Sequence, residues 1–498
     1  MRRTITFVLI LGVLAGGGFG AVSAWRLYES APPVIEWVNP PKAIGRKAQL
    51  GLKVTDSGAG IAKLTVTIEQ AATPPVVKTV LEETVVAGPD GQPPKSWEKV
   101  VEFDPRELGI RDGDVKLVVT ATDHSRRNGG QGNTATAEPL TLAARLRPPQ
   151  VELLSDQHNI EFGGSMMVAY RVGASAVEDG VRVGARTFPG YPSPADSAVH
   201  ICLFALSFRE PEGADPTVFA RDEIGNEAEV RFNYKVMPRK YPDEEVQLKP
   251  EWIQAVRDRF ALPPSLDDTA AFLEVNSKLR VQNHETLAKV LEKTAPEAYW
   301  SGAFGRMNGK PVSRFAETRH YLWQGKEIDQ QVHLGVDIAA LQNFPVPAAG
   351  AGVVIHASDL GIYGNCVIID HGMGLATLYG HLSSMSVAEG DKVTQNQIVG
   401  RTGTTGLAFG DHLHFGMYVH GVAVDPKDWW DPLFIRKRIE PKLAAWRSGG
   451  ANVAAQAAAA AIATMPSEGA AAAPGGGAEA VAPSRSTHGS GKHGKHTR

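Results

Sequence analysis

The chain has 498 residues, a formal net charge of −3 and only two cysteines. Its length exceeds what one hydrophobic core serves, so several domains are expected, and the near-neutral balance gives no drive toward nucleic acid or any other polyanion. Cys202 and Cys366 fall far apart, in segments assigned to different domains, and read as buried apolar residues rather than as a disulfide pair.

At the N-terminus, Arg2 and Arg3 precede a charge-free apolar run from Ile5 to Ala24. This is the layout of a secretory signal or an uncleaved anchor. A run of about 20 residues can span a bilayer as a helix, while Val22-Ser23-Ala24 offers the small residues a signal peptidase needs. Residues 1–28 are therefore read as a signal or, in preference, an inner-membrane anchor. Positive charge ahead of the run places the remainder in the periplasm or cell envelope.

Residues 32–147 and 148–240 read as two copies of one β-unit. Pro32-Pro33-Val34-Ile35-Glu36 opens the first and Pro148-Pro149-Gln150-Val151-Glu152 the second. Near the end of each copy a strand runs into an aspartate followed by Gly-Asn: Asp123 with Gly132-Asn133, and Asp222 with Gly225-Asn226. Gly-Asn is expected to supply positive φ angles for a turn, and the aspartate to bind nearby backbone. Alternation in Leu50-Gly51-Leu52-Lys53-Val54 and Leu64-Thr65-Val66-Thr67-Ile68 has the period of half-buried strands. Two sandwiches of about 100 residues fit, resembling the immunoglobulin-like modules of bacterial surface proteins.

Residues 244–298 read as a helical connector. Ser265 and Asp267 can cap a run that puts Phe272, Val275 and Leu279 on one face, and Asn283 can cap the Leu287, Val290 and Leu291 stripe. From 300 to 435 strands and glycine turns return, with eight of the fifteen histidines between His320 and His420. The tail, 448–498, is Ala/Gly/Pro-rich, ends in Lys492-His493-Gly494-Lys495-His496, and cannot bury a core. The whole reads as mainly β: two tandem Ig-like sandwiches, a short helical connector, and a C-terminal antiparallel-β domain.

The chemistry concentrates in that last domain. In an extended chain residues i and i+4 share a face, so His333 and Asp337 can converge on one ion, with Gly335 leaving room for it. His412 and His414, two apart, share a face only on a strand, where they add one ligand and one base. Tyr379-Gly380-His381-Leu382 adds a further histidine at a strand end. Three nitrogen and carboxylate ligands with a fourth place left for water describe a catalytic zinc site, whereas structural zinc more often uses cysteines. Tyr321 is better read as packing than as a hydroxyl donor. His320, His356, His371 and His420 are kept out of the site, and turn formation and backbone hydrogen bonding account for Asn365 and Asp425.

The stretch from Gly302 to Pro432 resembles the lysostaphin-type (LytM-like) peptidoglycan metallopeptidases. The matching residues are His333-x-Gly335-x-Asp337, Tyr363-Gly364-Asn365, His371-Gly372, Tyr379-Gly380-His381-Leu382 and Gly390-Asp391. Gly400-x-Thr402-Gly403, His412-Leu413-His414-Phe415 and Val424-Asp425-Pro426 complete the set. The resemblance implies an antiparallel β-fold with a long groove and Zn2+ at its floor. By position it implies that His333, Asp337 and His414 bind the metal while His381 and His412 are catalytic. It implies peptidoglycan as the partner and a zinc-dependent endopeptidase cleaving its peptide stems or cross-links. An exported, non-enzymatic activator of other wall hydrolases is the alternative, because family members of that kind have lost ligands that this chain keeps.

Overall fold

Alternation along the first strands produces a two-sheet unit closed on its own core. Leu50, Leu52 and Val54 of the strand Ala48–Thr55 face inward, as do Leu64, Val66 and Ile68 of Ile61–Gln70. Val115, Leu117, Val119 and Ala121 of Gly113–Asp123 meet them from the same core. One sheet runs Val34–Val38, Ala48–Thr55, Ser96–Phe103; the other centres on Gly113–Asp123 and Ile61–Gln70. The computed structural model describes residues 28–88, 92–155, 158–211 and 213–450. The apolar run 5–24 and the tail beyond 450 lie outside the described residues. Among the described residues no helix is long and apolar enough to cross a membrane.

The second β-unit repeats the first in its turns. Asp123 Oδ1 accepts from the Ser125 and Asn133 N–H groups, and Asp222 Oδ1 from those of Ile224 and Asn226. In each, the asparagine side chain donates to the second aspartate oxygen at 2.8 Å. Within the two Gly-Asn pairs only the glycines are left-handed, Gly132 at φ +80° and Gly225 at φ +83°; Asn133 and Asn226 are not, contrary to expectation. Their side chains do the work instead, tying the turn to the aspartate.

The core of the second unit is continuous with that of the C-terminal domain, running from Ile160 through Trp446. Trp429 Nε1 donates to Ser165 Oγ at 2.9 Å and Trp446 Nε1 to the Tyr191 carbonyl at 3.0 Å, both buried. Ion pairing of Arg239 with Asp425 joins the same two parts. Both cysteines are buried and free.

After residue 240 the chain first forms a strand, Asp243–Gln247, paired in parallel with Thr318–Trp323. Helices Pro250–Arg259 and Asp268–Leu273 follow, the second continuing through a π-turn into Arg280–Val290. Asp267 caps as expected, accepting from Ala270 N at 2.7 Å. Asn283 does not cap: it sits inside Arg280–Val290, where it is buried and accepts the Ile362 N–H at 2.8 Å. A polar residue inside a helix with a tertiary partner outranks its capping propensity.

Within the C-terminal domain the main sheet runs Lys310–Ser313, Val336–Ala339, Leu413–Val419, Leu375–Leu382, Asn365–Gly372, Gly352–Asp359, Lys392–Val393. Its central strands are buried on both faces.

Burial pushes His284, His371 and His420 down to about 4. Unfolded, each titrates near ~6.5, so below that pH the unfolded chain takes up protons the fold refuses, and stability falls as pH falls toward ~4. Three carboxyls oppose this in part: burial holds Asp428 up at about 6 and raises Asp370, and a hydrogen bond with Glu317 holds Glu244 at about 6. Burial lowers His356, His381 and His414 as well, so the histidines outnumber them. The melting temperature of metal-free protein is therefore expected to drop on titration from pH 7 to 4.5, as measured by circular dichroism; a rise would contradict this account.

Candidate metal centre

Two neighbouring strands bring the first ligands together through their register. Asp337 of Val336–Ala339 lies directly opposite His414 of Leu413–Val419, and Gly380 of Leu375–Leu382 lies opposite His414 on its other side. His333 is not on the same continuous strand as Asp337: pairing stops at Val332, the chain bends at Gly335, and the strand resumes at Val336. The i, i+4 pair converges through that bend rather than through simple extension. The bend needs glycine, because a Cβ there would come within 2.6 Å of the Phe415 carbonyl and 2.7 Å of the His414 ring.

The result is a tight triangle. His333 Nε2 lies 2.9 Å from His414 Nδ1, and Asp337 Oδ1 lies 3.0 Å from each. Among the described residues this trio and one acidic group elsewhere are the clusters able to hold a metal ion. His333, Asp337 and His414 would supply two nitrogen donors and one carboxylate donor to a divalent ion, the donor set of a three-ligand catalytic site. The donors fit a cation chemically as well: His333 Nδ1 bonds the Arg314 carbonyl at 3.0 Å, which leaves Nε2 as a lone pair aimed at the others.

Around the trio stands a shell that sequence reasoning missed. Arg319 donates to Asp337 Oδ2 at 2.9 Å, to Ser313 Oγ at 2.5 Å and to Glu317 Oε1 at 3.3 Å, which turns Asp337 Oδ1 toward the histidines. Burial would lower the Arg319 guanidinium, but Asp337 and its neighbours raise it, so it stays charged. Asp337 is buried, which alone would raise its carboxyl; His333 and His414 outweigh this and hold it well below the usual range. Arg319 stands 18 residues before Asp337 on another sheet, so no local spacing marks it.

His412 precedes Leu413–Val419 and bridges Gly403, with Nε2 at 3.6 Å from Asp337 Oδ1. His381 ends Leu375–Leu382 at φ +62°, a left-handed conformation that costs a non-glycine residue on the order of 1 kcal/mol or more. Its ring centre is 4.8 Å from that of His412 and 5.8 Å from that of His414. Both rings donate from Nδ1 to backbone carbonyls, His381 to Thr405 at 2.9 Å and His412 to Gly410 at 2.8 Å. This fixes the tautomer and leaves each Nε2 as the free lone pair. Burial first, then His412 and His414, push His381 well below its ordinary value, which favours the neutral ring. Burial likewise lowers His414, to about 4.

The five residues line a groove of about 450 Å3. One wall comes from the helical segment: Trp252 stacks on Phe409 with centres 4.6 Å apart. Arg259 donates to the Gly406 and Ala408 carbonyls at 2.6 and 2.9 Å, gripping the loop that supplies the two tautomer-fixing carbonyls. Tyr321 packs on Phe272 with ring centres 5.2 Å apart, the structural role expected of it. His371, buried, bonds the Ala351 carbonyl and Thr377; Asn365 Nδ2 bonds the Leu382 carbonyl; Asp425 Oδ1 accepts from Lys427 N. His320 pairs with Glu327, His356 with Ser358, and His420 lies by Phe188 and Tyr191, all outside the groove.

Gly335→Ala is expected to lower metal retention at least tenfold while the melting curve of the metal-free protein moves little. Metal analysis after dialysis against a weak chelator checks this; unchanged metal content would show that the close approach at Gly335 is not needed.

The sequence profile of Peptidase family M23 matches residues 331–426. Over 96 residues the chain is 43% identical to the DD-carboxypeptidase/endopeptidase Mpg of Neisseria meningitidis, covering 19% of this chain and 22% of that protein. Over 160 residues it is 40% identical to the peptidoglycan DD-endopeptidase ShyA of Vibrio cholerae, covering 32% and 34%. Stage II sporulation protein Q of Bacillus subtilis is 38% identical over 101 residues, 20% of this chain and 36% of that one. The chain thus spans about a fifth to a third of the length of these relatives. Among solved structures, the catalytic domain of lysostaphin from Staphylococcus simulans is 26% identical, covering 29% of this chain and 96% of that one, at a TM-score of 0.19. Residues 331–426, in the C-terminal part of this chain, are therefore similar to Peptidase family M23, and relatives that match over this part are named peptidoglycan DD-endopeptidases.

Proposed function

We propose that this protein is a zinc-dependent endopeptidase that cleaves the peptide stems or cross-links of bacterial peptidoglycan. The single observation that carries the proposal is the triangle His333–Asp337–His414 with His381 and His412 beside it. Relatives with a sporulation name as well as peptidase names match the same region, so family likeness alone does not decide activity. The complete residue set supports the enzyme reading. Two relatives are named DD-endopeptidases of peptidoglycan, which puts the D,D cross-link first among bonds to test.

His333, Asp337 and His414 would hold the ion. Zinc bound there would acidify a water to a pKa of ~7 and polarise the scissile carbonyl. The remaining chemistry belongs to the chain. His381 and His412 present Nε2 lone pairs toward the same space, one to take the proton of the attacking water and one to return a proton to the leaving amine. A protonated imidazole would also donate to the oxyanion that develops. Trp252, Phe409 and Tyr321 offer apolar wall to a peptide laid along the groove.

The same reading takes residues 300–435 as the peptidase domain, 32–147 and 148–240 as β-modules, 244–298 as connector and 448–498 as a tail. It takes residues 1–28 as an export signal or inner-membrane anchor, supported by Arg2, Arg3 and the apolar run, and so puts the protein in the periplasm or cell envelope.

Digestion of purified sacculi, with fragments identified by mass spectrometry and zinc measured in the protein, tests the proposal. Stoichiometric zinc and new amine ends on stem peptides are expected; metal-free, inactive wild-type protein would favour a regulator instead. His414→Ala should lose metal and activity together. His381→Ala should retain zinc and lose turnover by about 100-fold or more; normal turnover would remove His381 from its role. Arg259→Ala, which frees the loop behind Thr405 and Gly410, should retain zinc and lower kcat several-fold, and an unchanged kcat would show that the helical wall does not set the histidines.

A further inference from the structure

The first β-unit buries three acidic side chains that the mechanism does not use. Glu29, Asp56 and Asp123 are 7%, 4% and 2% exposed, and each offers an oxygen within 4.8 Å of the other two. None of them is paired with a basic side chain among the described residues. The Lys95 ammonium, beside the same turn, donates to the Ser57 and Gly58 carbonyls at 2.7 and 2.8 Å. Asp56 Oδ2 accepts from the Gly58 and Gly60 N–H groups, but Asp56 Oδ1 is buried with no hydrogen-bond partner. A buried carboxylate oxygen without a donor, set among other carboxylates, is costly unless a cation meets it.

The second unit serves as an internal control. With Pro32-Pro33 set on Pro148-Pro149, Glu29 falls on Arg145. The backbone role is the same in both: the Glu29 carbonyl accepts from Asn133 Nδ2 at 3.0 Å, and the Arg145 carbonyl accepts from Asn226 Nδ2 at 2.6 Å. The turn aspartate is also kept, as Asp222. What differs is the acid cluster. Glu29 is replaced by Arg145, whose side chain points to Glu223, and the turn after the strand that matches Ala48–Thr55 reads Gly173-Ala174-Ser175, without a carboxylate. The second unit therefore forms the same turn at Asp222 without an acid cluster beside it, and the gathering of three carboxylates belongs to the first unit alone.

We infer that Glu29, Asp56 and Asp123 form a binding site for a hard divalent cation of the calcium class, peculiar to the first β-unit. The donor set is oxygen only, which selects against zinc and suits an ion that takes six to eight oxygens, water supplying the remainder. The site joins three separate pieces of chain: the segment entering the unit at Glu29, the turn after Ala48–Thr55, and the turn after Gly113–Asp123. Gly58 lets Glu29 approach, since a Cβ there would overlap the Glu29 carboxylate, and the Ala59 N–H donates to the same carboxylate. Cation binding thus clamps the entering segment to the end of the unit, and this holds whether or not the peptidase reading is correct.

Full-length protein, stripped with chelator and reloaded with zinc, is titrated with calcium chloride by calorimetry. One calcium per chain is expected, half-saturating between ~10⁻⁶ and ~10⁻³ M. Asp56→Asn should weaken binding at least tenfold, and so should Glu29→Gln, which lies ahead of the first strand and leaves the core untouched. His414→Ala should bind calcium as the wild type does. No calcium uptake by the wild type, equal affinity in both carboxylate variants, or equal affinity for magnesium would overturn the assignment.

Discussion

One strand pairing carries the C-terminal site. With Asp337 opposite His414, two of the three candidate ligands are neighbours across a ladder that is buried on both faces. A slip of one residue would turn every side chain of Leu413–Val419 to the opposite face and scatter the ligands. Core residues at alternate positions, Leu413, Phe415 and Met417, resist that slip because it would exchange them with His414 and Gly416. The candidate metal centre is thus stabilised by the same packing that stabilises the sheet.

Geometry around the histidines comes from farther away. The loop Thr405–Gly410 provides the carbonyls that set the tautomers of His381 and His412, and the helix Pro250–Arg259 grips that loop through Arg259 and Trp252. A segment that looks like a spacer in sequence is thereby part of the wall of the site. The left-handed backbone at His381 fits the same picture, a strained residue held in place by the surrounding contacts. On the other side, the second β-unit shares its core with the C-terminal domain through Ser165, Trp429 and Trp446, so it supports that domain from behind.

The two β-units show how duplication separates framework from function. Asp123 and Asp222 keep the same hydrogen bonds to their turns, because those bonds hold the strand ends together in either copy. Glu29 and Asp56 have no counterparts, and their carboxylates gather at one end of the first copy alone. Asymmetry between copies of one scaffold marks chemistry that the scaffold itself does not require.

Much of this was legible in the chain itself. Alternation marked the strands of the first unit, repeated Pro-Pro and Asp…Gly-Asn patterns marked the duplication, and the spacing of histidines and one aspartate pointed to five of the residues that line the groove. Those signals are local, a side-chain period or a fixed offset, and local geometry is what sequence encodes directly. Asn283 was misread because capping propensity is local while its real partner, Ile362, lies 79 residues away. Arg319, the Thr405 and Gly410 carbonyls and the grip of Arg259 left no pattern, since a backbone carbonyl has no sequence signature and an ion pair across sheets has no fixed spacing. The acid trio stayed hidden for the same reason: Glu29, Asp56 and Asp123 are spread over almost a hundred residues, and only the closing of two sheets on one core brings their charges together.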